Sequence, residues 1–193
     1  VDIPVAQIKA VPAMFGETDV LKVLQLLPGV QSGTEGTAGL YVRGGSPDEN
    51  LMLLDGVPVY NVNHMFGFFS AFNGSIVQDM ELYKGSIPAK FGGRISSVLD
   101  INSRKGNKEE YQGELSLGLL TSSVALEGPI KKDKTSLLLS GRTTYSDWML
   151  GLLPEKSGYK NGKAGFWDAN MVLSHQFSQK DNLYLSGYYS HDR

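Results

Sequence analysis

From Tyr111 onward, apolar and polar residues alternate with period two, the spacing of strands that show one face to an apolar phase and the other to a polar one. Trp167, Ala169, Met171 and Leu173 alternate with Asp168, Asn170 and Ser174, and Leu183, Leu185 and Tyr189 alternate with Ser186 and Ser190. Earlier, Leu115, Leu117 and Leu119 give way to Val124 and Leu126, a slip of register that predicts a bulge near Thr121. Thr135 to Thr144 reads as the return strand after a turn at Lys131-Lys132-Asp133. The pattern predicts four strands of roughly a dozen residues with aromatics near their ends, which suits an outer-membrane barrel. It suits a soluble sandwich almost as well.

The first half follows a different grammar. Val20, Leu21, Val23, Leu24 and Leu27 fall on helical spacing and predict a helix over Glu17 to Leu27, with Thr18 as its cap and Pro28-Gly29 as its stop. The runs LYV, LMLL, MELY and SVLDI read as short strands, each closed by RGG, DGVP, KG or a polar cluster. The segment MFGFFSAFN at Met65 to Asn73 reads as one or two helical turns ending at Asn73-Gly74. The polar run SRKGNKEE marks a boundary, giving domains over 1–106 and 107–193.

Composition narrows the function. A chain of 193 residues, 41% hydrophobic and 20% charged, has enough apolar surface to fold. With no cysteine it holds neither a disulfide nor a thiolate metal site, and His64, His175 and His191 lack the spacing of metal ligands. A net charge of -2 with scattered Lys and Arg argues against nucleic acid as a partner. Gly44-Gly45 and Gly92-Gly93 match no phosphate loop, no nucleophile elbow or HExxH motif occurs, and Asp55-Gly56 reads as a turn rather than a catalytic acid. The sequence therefore predicts no enzyme, no cofactor and no catalytic or metal residue. No run of 18 apolar residues encodes a membrane-spanning helix. VDIPVAQIKA has no features of a signal peptide, and Val1 and Arg193 read as cut ends.

VRGG at Val42 to Gly45, LLDGVPV at Leu53 to Val59 and ELYKGSIPAKFGGR at Glu81 to Arg94, in that order, resemble the plug domain of TonB-dependent outer-membrane receptors. The stretch LLPGVQSGTEGTAGLYVRGG resembles the branch that carries a carboxypeptidase-regulatory-like domain upstream. The resemblance implies an α+β plug domain, a small mixed sheet with short helices, followed by antiparallel β-strands of an incomplete outer-membrane β-barrel. Family barrels have about 22 strands, so residues 111–193 would be the first four. It further implies transport of a siderophore, peptide or oligosaccharide, driven by an inner-membrane TonB complex gripping a box upstream of this chain. Arg43 and Arg94 would pair with glutamates on the inner barrel wall and lock plug to barrel. Asn63, His64 and Met65, in the apex loop, would contact substrate. Four strands alone would leave unpaired edges and a lipid face bearing Trp167, Met171, Leu173 and Leu185, which predicts self-association. The rival reading is a soluble or surface β-rich ligand-binding module, an adhesin or carbohydrate-binding domain.

Overall fold

The structure, a computed structural model, describes residues 2–4, 19–31, 40–64, 69–145, 147–152 and 165–193. They fall into two compact units, one running to Arg104 and the other from Lys105 to Arg193.

The first unit is built on a five-stranded mixed sheet. Its strands are β1 (Asp2–Pro4), β4 (Asn50–Leu54), β5 (Val57–Pro58), β8 (Val77–Tyr83) and β9 (Ser97–Ser103), in the order β1-β8-β9-β4-β5. Only β4 and β9 run parallel, Asn50 opposite Ser97 through Leu54 opposite Ile101; every other pairing is antiparallel. Alternation sorts the faces. Met80, Leu82, Leu99 and Ile101 are buried on one side, while Asp79, Glu81, Tyr83 and Asp100 occupy the other. Two ribbons complete the unit: β2 (Val30–Gln31) with β3 (Tyr41–Val42), and β6 (Asn63–His64) with β7 (Phe69–Ser70). Three of the four short runs singled out in the sequence lie wholly in strands, and LYV does so from Tyr41. Asp55 and Gly56, at φ 51° and 79°, form the two-residue turn that returns β4 into β5.

Helix α1 is shorter than its periodicity suggests, spanning Val20–Gln25. Its cap is Asp19; Thr18, the expected cap, and Glu17 lie outside the described residues. Asp19 Oδ1 accepts the N–H groups of Leu21 (2.9 Å) and Lys22 (3.3 Å), satisfying donors that the first turn leaves open. Its other oxygen accepts the N–H of Ser70 at 2.9 Å, tying the helix to β7. Because one buried carboxylate serves both sites, Asp19→Ala removes a cap and orphans a buried donor, at a cost of about 2 kcal/mol. Urea unfolding followed by circular dichroism should show it, with exchange protection lost at Ser70 as well as Leu21. Loss confined to the helix would limit Asp19 to capping.

The helical turns expected over Met65 to Asn73 do not extend into its described part. Residues 65–68 lie outside the described residues, and Phe69–Ser70 is a strand paired with Asn63–His64. Asn73 then turns the chain by accepting the N–H and hydroxyl of Ser75 on its own side chain, an arrangement that competes with helix.

The second unit is a meander of five antiparallel strands, where four were expected: β10 (Gln112–Leu117), β11 (Thr121–Lys131), β12 (Thr135–Thr144), β13 (Phe166–Gln176) and β14 (Asn182–Asp192). The extra strand arises at the register slip, where the chain makes a tight turn instead of a bulge. Gly118 N–H donates to Thr121 O (2.8 Å), and the Tyr145 hydroxyl donates to Gly118 O. The bulge sits elsewhere, between Pro129 and Lys131. At one end of the meander both connections are short, 132–134 and 177–181. At the other, a short turn at 118–120 is joined by the connection 145–165, which carries helix α2 (Asp147–Gly151).

Candidate functional site

Two of the three sequence motifs, VRGG and ELYKGSIPAKFGGR, meet at one end of the first sheet, where β3 and β8 finish and β4 and β9 begin; LLDGVPV turns at the other end, where Ser103 N–H donates to Asp55. Arg43 and Gly44, at φ 51° and 83°, turn the chain through a left-handed conformation, closed by Gly45 N–H donating to Val42 O at 3.0 Å. Gly45 has no room for a side chain, since a Cβ there would lie 2.3 Å from Ser96 Oγ. Ser96 Oγ donates to Val42 O at 2.8 Å, and Ser97 Oγ donates to Asn50 Oδ1 at 2.7 Å. Asn50 Nδ2 in turn donates to Leu40 O at 2.7 Å. The turn before Ser46 is thus bonded to the segment after Arg94, more than 50 residues on. Lys84 Nζ, donating to Pro28 O at 2.7 Å, adds the KGS turn to the same end.

Both arginines expected to lock the domain are exposed here. The Arg43 guanidinium lies against Gly85, where a Cβ would come within 2.7 Å of Nη1. Arg94 donates to Gly93 O at 3.3 Å. Asp48 is held below its ordinary carboxylate value first by the Ser46 side-chain hydrogen bond, with the charge of Arg94 a smaller influence. Among the described residues of this unit neither arginine sits in a buried pair; each stands exposed on a turn.

Asn63 and His64 belong to the loop that leaves β5 and returns into β8 at the opposite end of the sheet. His64 is buried, at 1% exposure, rather than displayed. Asn63 is half-buried, and its Oδ1 has no hydrogen-bond partner among the described residues. Met65 lies outside them. Among the described residues of this loop, Tyr60 is displayed at 88% exposure. Among the described residues, no group of three or more His, Asp or Glu side chains is placed to hold a metal ion.

A feature the motifs did not announce is the acidic face of the first sheet. Asp2 on β1, Glu81 on β8 and Asp100 on β9 stand opposite one another in successive strands, a repulsive row. The signal lay in QDMELY and SVLDI, whose acids share one strand parity. The Tyr83 hydroxyl donates to Glu81, which pushes its pKa up to about 12. Burial raises the Asp100 carboxyl above its ordinary value; Lys90 opposes the shift, and Glu81, Asp55 and Asp79 reinforce it. The folded state therefore holds this proton more tightly than the unfolded chain does. That contribution to stability is present below the ordinary carboxylate range and fades as pH rises through the raised value. Asp100→Asn should accordingly raise the urea midpoint at neutral pH, with the gain closing as the medium is acidified. An equal effect at every pH would contradict it.

The second sheet is inside out by the standards of a water-soluble protein. Ser136, Ser140, Arg142, Asp168, Asn170 and Ser174 are buried, while Leu115, Leu117, Leu126, Leu139, Trp167, Met171 and Leu185 are exposed. Arg142 Nε donates to Asp168 Oδ2 at 2.8 Å, and its guanidinium lies 4.8 Å from the centre of the Phe166 ring. Aromatics gather at the two ends of the exposed face: Trp167 against Tyr189, with ring centres 5.2 Å apart, and, eight residues along β13, His175 edge-on to Phe177 at 4.4 Å. Eight residues of strand cover about 26 Å, or about 20 Å after the tilt of a barrel strand, somewhat less than the height of an outer-membrane apolar band.

Comparison with known proteins agrees with both units. The sequence model described as TonB-dependent receptor plug domain matches residues 4–98. No curated protein matches the chain. Among solved structures, the siderophore receptor PirA from Pseudomonas aeruginosa superposes with a TM-score of 0.69 at 17% identity over 100% of this chain. A mutant of the ferric enterobactin receptor PfeA from the same organism, in complex with enterobactin, gives 0.67 at 20% identity over 99%. The chain spans about a third of their length, 33% and 32% respectively. At these identities the likeness speaks to the fold, a plug followed by strands. Residues 4–98 are a plug domain, and the chain belongs to the TonB-dependent receptors.

Proposed function

We propose that this chain is the plug and the opening barrel strands of an outer-membrane transporter driven by TonB. The observation that carries the reading is the inverted sheet behind a plug: an exposed face of leucines, Met171 and Trp167 is costly against water and favourable against acyl chains. A soluble ligand-binding module would turn that face inward. Transport on this reading breaks no bond. Substrate binds from outside, the TonB complex takes an upstream box by strand addition, and the plug shifts. Arg43 and Arg94 present the plug half of a lock to the barrel wall, and the loop that carries Asn63, His64 and Met65 contributes to the substrate site, with the buried His64 supporting it from within. The substrate is a siderophore, peptide or oligosaccharide, and the names of the two structural neighbours make a siderophore the first to try.

The test is fractionation of cells carrying the full-length gene, followed by protease treatment and detection with an antibody to residues 1–106. Recovery in the outer membrane with the plug shielded, and ligand uptake abolished when TonB is deleted, is the expected result. Recovery in the cytosol or the medium would end the transporter reading.

A further inference from the structure

The exposed face of the second sheet is not flat. A groove of about 720 Å³ opens beside Tyr111, Gly113, Gly128 and Ile130, and another of about 510 Å³ lies between Val124, Gly141, Met171 and Gly187. Both are lined by Leu126 and Leu139, so together they make one apolar channel crossing from β10 to β14. Glycine makes the channel: Gly187 faces Met171 across the strands, and a Cβ built there meets no atom within 4 Å. The Tyr111 ring covers Gly128 and its hydroxyl donates to Pro129 O at 2.9 Å, giving the channel a fixed wall with a polar tip.

The channel has a direction. Its Tyr111 mouth is at the end with the two short connections, the end that faces the periplasm in barrels of this type, and its other end lies at mid-strand around Met171. Pro129 and Ile130, which line the mouth, run directly into Lys131, Lys132 and Lys134, with Asp133 alone opposing them in that turn. An interfacial mouth beside excess positive charge, leading to an apolar trough that ends near the bilayer middle, matches one amphiphile: an acyl chain carrying an anionic headgroup.

We infer that this channel holds an anionic glycerophospholipid of the periplasmic leaflet, one acyl chain in the trough and its phosphate on the 131–134 turn. The inference rests on the membrane reading above. Its test is native mass spectrometry of the full-length receptor, extracted from outer membranes in mild detergent and offered phosphatidylglycerol or phosphatidylethanolamine. Wild-type receptor should retain one phosphatidylglycerol under activation that strips phosphatidylethanolamine. Gly187→Leu fills the trough without backbone strain and displaces about two methylenes of chain, which should lower retention about tenfold. Lys131→Glu with Lys132→Glu should abolish the preference between the two lipids. A Gly187→Leu receptor that is inserted in the outer membrane yet retains phosphatidylglycerol like wild type overturns the lipid site alone. So does a Gly187→Leu receptor that changes only its oligomeric state, which would give the channel to a second copy. Receptor recovered outside the outer membrane overturns the membrane reading and this inference with it.

Discussion

Asp168→Ala is expected to destabilise the strand unit by about 3 to 5 kcal/mol, the cost of leaving a buried guanidinium without its carboxylate. The side chains of Arg142 and Asp168 are 1% and 0% exposed, and the two residues face each other across β12 and β13. The Phe166 ring, 4.8 Å from the guanidinium, stays in place in the single variant. Replacing the pair with Arg142→Met and Asp168→Leu should recover most of the loss, because a buried ion pair exchanged for apolar groups of similar volume is often neutral. Urea unfolding of the full-length receptor in detergent micelles, read by tryptophan fluorescence, gives both values. If the single variant loses less than about 1 kcal/mol, the scale of an exposed pair, the site is wet and the pair is not a structural element.

The second large effect separates the two faces of the same sheet. Met171→Arg should cost about 2 to 4 kcal/mol in a bilayer, where a charge on the lipid side of a barrel near mid-depth is most expensive. Ser186→Arg places the same charge on the opposite face of the neighbouring strand, opposite Val172, and should cost far less. The comparison controls for side-chain size and strand propensity, leaving the surrounding medium as the variable. Folding yield into vesicles, judged by the heat-modifiable mobility of the barrel, is the readout. Equal yields from the two variants would mean that neither face meets lipid.

The strands were legible because alternation is a local signal, and the motif order was legible because each motif is a turn with its own residue chemistry. What local signals miss is which turn a register slip makes. Leu119 to Val124 reads equally as a bulge or a hairpin until Gly118 and Tyr145 are seen to close it, 27 residues apart. The cap of α1 was hidden for a similar reason: Asp and Thr are both good caps, and it takes the N–H groups of Leu21, Lys22 and the distant Ser70 donating to Asp19 to distinguish the aspartate. At the candidate site, the turn character of Arg43 and Arg94 was visible in their glycines. The burial of His64 was not, because nothing in VNHMF states which way a two-residue strand faces.

The parallel pairing of β4 with β9 has a kinetic side. Ser97 must find Asn50, Ser103 must find Asp55 and Ser70 must find Asp19, separations of 47, 48 and 51 residues. Most strand pairs of the meander, by contrast, close through connections of a few residues. Contacts so far apart in sequence are reached slowly, since loop entropy is lost before any bond rewards it. The plug sheet is therefore expected to close slowly for its size, and until Ser103 docks its apolar strands are open to proteases and chaperones.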